Sequence, residues 1–126
     1  MVQLGCRTTP LPPVDLAAPG WQTHPAQAVW RPNRHAPELV GELLYATRTN
    51  GESLVQFSKN PFPLVTAQTT RHAWRIEFAA VGKKYSAPGI PPARLLWFQL
   101  APLAHTNHLR LENNSTGEAL EVFANP

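Results

Sequence analysis

The chain has 126 residues, which is enough for one domain with a real core and too few for two. Charged residues make up 15% against a usual ~25%, and fourteen prolines, seven of them before residue 40, leave little room for long helices and exclude a helix bundle or coiled coil. No apolar run approaches the ~18 residues of a membrane span. The net charge of +3 is scattered, with Lys83-Lys84 as the only adjacent basic pair, so the basic stripe expected of a nucleic-acid-binding protein is missing.

The single cysteine, Cys6, cannot form an intrachain disulfide. It sits in Leu4-Gly5-Cys6-Arg7-Thr8-Thr9-Pro10-Leu11-Pro12-Pro13. This run resembles the processing site of a bacterial lipoprotein, where a small residue precedes the acylated cysteine and a Thr/Pro tether follows. The resemblance implies lipid attachment at Cys6, a signal segment upstream of it, and a place in the bacterial cell envelope, on the periplasmic face of the outer membrane. Without acylation the chain reads as cytoplasmic. Pro10, Pro12, Pro13 and Pro19 favour extended backbone, so residues 1–20 read as a Pro-rich tether and 21–126 as one β-rich domain.

Trp21, Val29 and Trp30 mark a first strand, which Pro25 is expected to break. Glu38 to Thr47 is rich in strand-forming residues and runs into Asn50-Gly51, the strongest short hairpin signal. Ser53 to Ser58 returns. Asn60-Pro61-Phe62-Pro63 is expected to interrupt before a strand at Leu64 to Thr69. Trp74 to Phe78 alternates cleanly, with Trp74, Ile76 and Phe78 on one face and Arg75 and Glu77 on the other. Lys83 to Ser86 reads as a short strand after Gly82.

Residues Pro91 to Leu100 form the one helix candidate, with Ala93, Leu96, Trp97 and Leu100 at helical spacing. A strand over Leu95 to Leu100 competes, because a short apolar run has no unique period. The chain ends in a hairpin, Leu109 to Asn113 and Glu118 to Phe123 around Asn114-Ser115-Thr116-Gly117. Together these elements predict a mainly β fold, a curved antiparallel sheet or half-barrel of about seven strands with one short helix.

Catalytic parts are scarce. The only aspartate, Asp15, lies in the tether, and there is no Gly-x-Ser-x-Gly elbow or Gly-rich phosphate loop. Glu42 and Glu77 are the one carboxylate pair to weigh across strands, but their alternation with apolar neighbours makes them outward-facing and solvated. His105-x-x-His108 offers two zinc ligands and only Glu112 nearby as a third, so the histidines read as surface loop residues. No catalytic residue, metal or cofactor is assigned. Trp74, Ile76 and Phe78, covered by Leu96, Trp97 and Leu100, form the candidate apolar ligand site.

The run Val55 to Gln68 leading to Trp74-Arg75-Ile76-Glu77-Phe78 is similar in pattern to the centre of the LolA/LolB lipoprotein-carrier half-barrels. That resemblance implies a curved sheet around an apolar cavity whose ligand is an acyl chain. The functional expectation is a non-enzymatic envelope lipoprotein, a binding or accessory module holding a lipid or other apolar ligand or a partner protein. Alternatives are a structural subunit of a larger assembly and a small barrel for single-stranded nucleic acid. The last is disfavoured because Trp74 and Arg75 point to opposite faces.

Overall fold

The computed structural model describes residues 11 and 14–125. Cys6 and its flanking residues, on which the acylation expectation rests, lie outside them. Eight strands form one antiparallel sheet. In chain order they are β1 (Trp21–Arg31), β2 (Leu39–Arg48), β3 (Ser53–Lys59), β4 (Phe62–Thr69), β5 (Ala73–Phe78), β6 (Lys83–Pro88), β7 (His108–Asn113) and β8 (Glu118–Ala124). The sheet order is β6-β5-β4-β3-β2-β1-β8-β7. Among the described residues β6 and β7 are the unpaired edges, so the sheet is an open, half-barrel-like structure rather than a closed barrel.

Strand alternation sorts the side chains into two faces. Ala26, Ala28 and Trp30 of β1, Leu43 and Tyr45 of β2, Val55 and Phe57 of β3, Val65 and Ala67 of β4, and Trp74 and Ile76 of β5 all fall on one buried face. Leu120 and Val122 of β8 extend it. A connection of two short 3-10 turns, Leu96–Phe98 and Ala101–Ala104, lies across this face and buries Leu96, Trp97, Leu100 and Leu103 against it. This is the one short helical segment covering the core. A regular helix from Pro91 does not form: Leu95 is extended, and Leu100 stands outside both turns.

Pro25 does not break the first strand, which runs unbroken for 11 residues. The Pro25 carbonyl accepts from the Asn125 N–H at 3.1 Å, just beyond the last β1–β8 pair, Ala26 with Ala124. A residue in an antiparallel ladder points its N–H and C=O to the same side. The donor that proline lacks therefore falls at the end of β8, where one hydrogen bond is lost and the ladder is not interrupted. Pro63 is likewise inside β4, opposite Ser58, where the β3–β4 register shifts between Phe57 and Ser58. The strand thus begins at Phe62, directly after the cis Asn60–Pro61 peptide.

The opposite face is partly covered by the chain before β1. The backbone turns at Asp15, whose carbonyl accepts from Ala18 N–H and whose Oδ1 accepts from Ala17 N–H, both at 3.0 Å. Arg48 Nε donates to the Pro19 carbonyl at 3.0 Å, and its guanidinium lies 5.7 Å from the Trp21 ring centre. Leu11 and Val14 line a shallow cleft with Leu54, Gln56 and Thr66. Leu54 and Ala46 are buried on this face, away from the main core. The last residues of the proline-rich segment are therefore fastened along the sheet rather than projecting from it.

Candidate functional site

The six residues of the predicted apolar site come together. Trp74, Ile76 and Phe78 line up along β5 on the core face, and Leu96, Trp97 and Leu100 press onto that face from the covering segment. Five of them are buried, and Phe78 is half-buried at the margin. Trp97 is the keystone: its ring centre is 5.3 Å from those of Trp30 and Phe57. Trp30 in turn stacks on Phe78 at 6.0 Å, and Phe98 meets Trp74 edge-on at 5.7 Å. The space between sheet and cover is thus filled by the protein's own aromatic rings.

Small residues make this packing possible. Ala26, Ala28 and Ala67 keep the sheet floor low, and Gly41 completes it beside Phe57. A Cβ on Gly41 would lie 2.4 Å from the Ser58 carbonyl oxygen and 3.1 Å from the Phe57 ring. Trp30 and Phe57 are the members of the cluster that sequence reasoning left out of the site. The Ala26-Ala28-Trp30 alternation carries the signal, but it is obscured when Pro25 is read as a strand break.

Polar groups inside this face are few. Trp30 Nε1 donates to Glu118 Oε2 at 2.9 Å. Burial raises the Glu118 carboxyl above the usual carboxylate range, opposed by the Trp30 hydrogen bond. Trp97 Nε1 is buried and, among the described residues, has no hydrogen-bond partner. His24 stacks on Tyr45 at 5.8 Å, and its buried Nε2 has no partner among the described residues either. Burial raises the Tyr45 hydroxyl above its ordinary value.

The covering segment is held to the sheet mainly by apolar contact. Its backbone hydrogen bonds are local: Leu95 to Pro92, Phe98 to Leu95, Gln99 to Leu96, Leu103 to Leu100 and His105 to Pro102. The Gln99 side-chain amide also bonds within the segment, to the Ala93 carbonyl. Flanking Gly89, at φ +88°, and Pro91 and Pro92 set off its start.

The remaining candidates stand apart. Glu42 on β2 and Glu77 on β5 are separated by β3 and β4 and do not face each other. Glu77 lies 3.8 Å from Arg75 and 3.9 Å from Lys84. His108 Nε2 is 2.6 Å from Glu121 Oε2, and Arg110 bridges Glu121 and Glu112. No group of three or more metal-ligand side chains occurs among the described residues.

One end of the sheet carries the β1–β2, β3–β4, β5–β6 and β7–β8 connections. Two of its tips are apolar and exposed: Phe62 at 69% and Val81 at 66%. Lys59 and Lys83, both exposed, flank them and have no ion pair among the described residues. No helix of the described chain is long and apolar enough to cross a membrane. No protein-family model, curated protein or solved structure matches this chain.

Proposed function

We propose that the chain is a small non-enzymatic module of the bacterial cell envelope, held at a membrane by an acylated Cys6. There it acts as a binding or accessory protein for an apolar ligand or a partner.

The observation that carries this reading is the apolar, lysine-flanked end of the sheet. Exposed Phe62 and Val81 beside Lys59 and Lys83 combine apolar tips with positive charge, which suits an anionic bilayer surface. Chain length agrees. Leu11 lies beside Gln56 and Thr66. It lies five chain steps after Cys6, a reach of up to ~18 Å. Lys59 is three residues along β3 from Gln56, or ~10 Å. An acyl group on Cys6 can therefore enter the same bilayer surface that the tips touch.

Holding an apolar ligand requires the 96–104 segment to lift, because Trp97 and Leu100 occupy the space beneath it. A cover held by packing, with only local backbone hydrogen bonds, suits that role.

The test is the intact mass of the protein extracted with detergent from its native cells. A species beginning at Cys6 and heavier by acyl chains is expected. A protein that retains Met1 and a free thiol refutes the lipoprotein reading.

A further inference from the structure

A cleft of about 280 Å³ opens on the face opposite the core, across β1, β2 and β3. Its polar lining is Gln27, Glu42, Gln56, Ser58 and Asn125, with Leu44 and Pro25 as an apolar floor. Register brings these groups side by side. Gln27 pairs with Glu42 and Glu42 with Ser58, while Pro25 pairs with Leu44 and Leu44 with Gln56. Directly paired residues on one face hold their Cβ atoms roughly 5 Å apart. Asn125 is placed at the margin by its N–H bond to the Pro25 carbonyl.

This cluster differs from the rest of the face. Glu77, Glu112 and Glu121 are all engaged by basic side chains. Among the described residues Glu42 has no basic partner, and the side chains of Gln27, Gln56, Ser58 and Asn125 make no hydrogen bond. Five uncommitted groups thus converge on one shallow depression.

Their chemistry selects a ligand class. Together they offer amide and hydroxyl donors, and amide, hydroxyl and carboxylate acceptors. They carry one negative charge and no positive one, which disfavours phosphate and carboxylate ligands. The lining is too polar and open for an acyl chain. A polyol fits: each hydroxyl both donates and accepts, and planar amide and carboxylate groups can bridge neighbouring hydroxyls. The C–H face of a sugar ring would rest on Leu44 and Pro25. Phe123, 43% exposed and stacked with His108 at 4.9 Å, is the β8 partner of Gln27 and brings an aromatic ring to the rim beside a second sugar ring. We propose that this cleft is a binding site for a neutral saccharide of one or two rings. The inference does not depend on acylation of Cys6 or on the apolar-ligand reading.

The experiment is a titration of the isotope-labelled full chain with cellobiose and with N,N′-diacetylchitobiose, followed by NMR. Saturable shifts of the Gln27, Gln56 and Asn125 side-chain amides are expected with at least one of the two sugars. Glu42→Ala should weaken binding about tenfold or more, and Gln56→Ala several-fold. Glu42→Gln should retain most of it, since the amide still accepts and donates. Both positions are on the surface, and an unchanged backbone spectrum will show that each variant folds. The proposal is overturned if neither sugar gives a saturable shift, or if the shifts map away from β1–β3. It is also overturned if choline, an organic cation, saturates the same amides while the sugars do not.

Discussion

Gly41 offers a test in which strand propensity and tertiary packing give opposite answers. Glycine inside a strand is a poor choice, and replacing it with alanine ordinarily stabilises by about 0.5–1 kcal/mol. Gly41 is not among the glycines with positive φ, so its backbone conformation presents no obstacle to alanine. Space does. The new methyl group would lie 2.4 Å from the Ser58 carbonyl oxygen and 3.1 and 3.2 Å from two carbons of the Phe57 ring. Phe57 is fully buried against Trp97 and Trp30, and Ser58 is backbone at the register shift of the β3–β4 ladder. Neither neighbour yields freely. Overpacking of this kind costs about 1–3 kcal/mol, so Gly41→Ala is expected to be destabilising by about 1–2 kcal/mol after the propensity gain. For a domain of this size that is a fall of roughly 4–8 °C in Tm. Thermal unfolding followed by near-ultraviolet circular dichroism reads both the midpoint and the aromatic packing. A Gly41→Ala protein as stable as the wild type, or more so, refutes the close packing of β2 against the β3 bulge.

Trp97→Ala should cost about 3–5 kcal/mol in urea unfolding. Trp97→Phe should cost less than half of that, because it keeps ring contact with Trp30 and Phe57 and removes a buried N–H that has no acceptor among the described residues; equal losses would contradict the keystone role. Glu118 holds its proton more tightly in the native state than in the unfolded chain, chiefly through burial. Its contribution is therefore most favourable below the unfolded value of about 4.3 and declines as pH rises through the native one. Glu118→Gln keeps an acceptor for Trp30 and should flatten that decline, which paired unfolding curves at about pH 4 and about pH 7 will show. At the lysine-flanked end, Phe62→Asp with Val81→Asp should leave Tm within about 4 °C, because both side chains are exposed. The same pair should weaken binding to anionic vesicles about tenfold or more, and unchanged sedimentation with vesicles would remove the main support for a membrane-facing end.

Much of the sheet was legible in local pattern. The alternation of Trp74, Ile76 and Phe78, of Leu109 and Leu111, and of Leu120 and Val122 identifies strands with one buried side. Asn50-Gly51 and Gly117 mark hairpin turns. These signals are short-range: a strand's period of two and a turn's need for positive φ are written in a few consecutive residues. They are enough for a mainly β, open antiparallel fold. They also place Trp74, Ile76, Phe78, Leu96, Trp97 and Leu100 on a shared apolar surface.

Other features were decided only by partners distant in the chain. Pro25 reads as a break in isolation, yet it sits harmlessly in β1 because β8 ends beside it, a fact that depends on a pairing about a hundred residues away. Pro63 is accommodated by the register shift opposite Ser58. The cover over the core has no single periodicity, so its two short turns follow from the surface of aromatic rings it must fit rather than from helix propensity. Leu11 and Val14 look like tether residues until Leu54 provides a face for them. The neighbourhood of Gln27, Glu42 and Ser58 likewise exists only in the register of β1, β2 and β3. Sequence alone determined which residues prefer the inside of a pleated sheet. Which strands lie side by side, and what covers each face, was set by long-range pairing, because register and burial are properties of the whole sheet and not of any one strand.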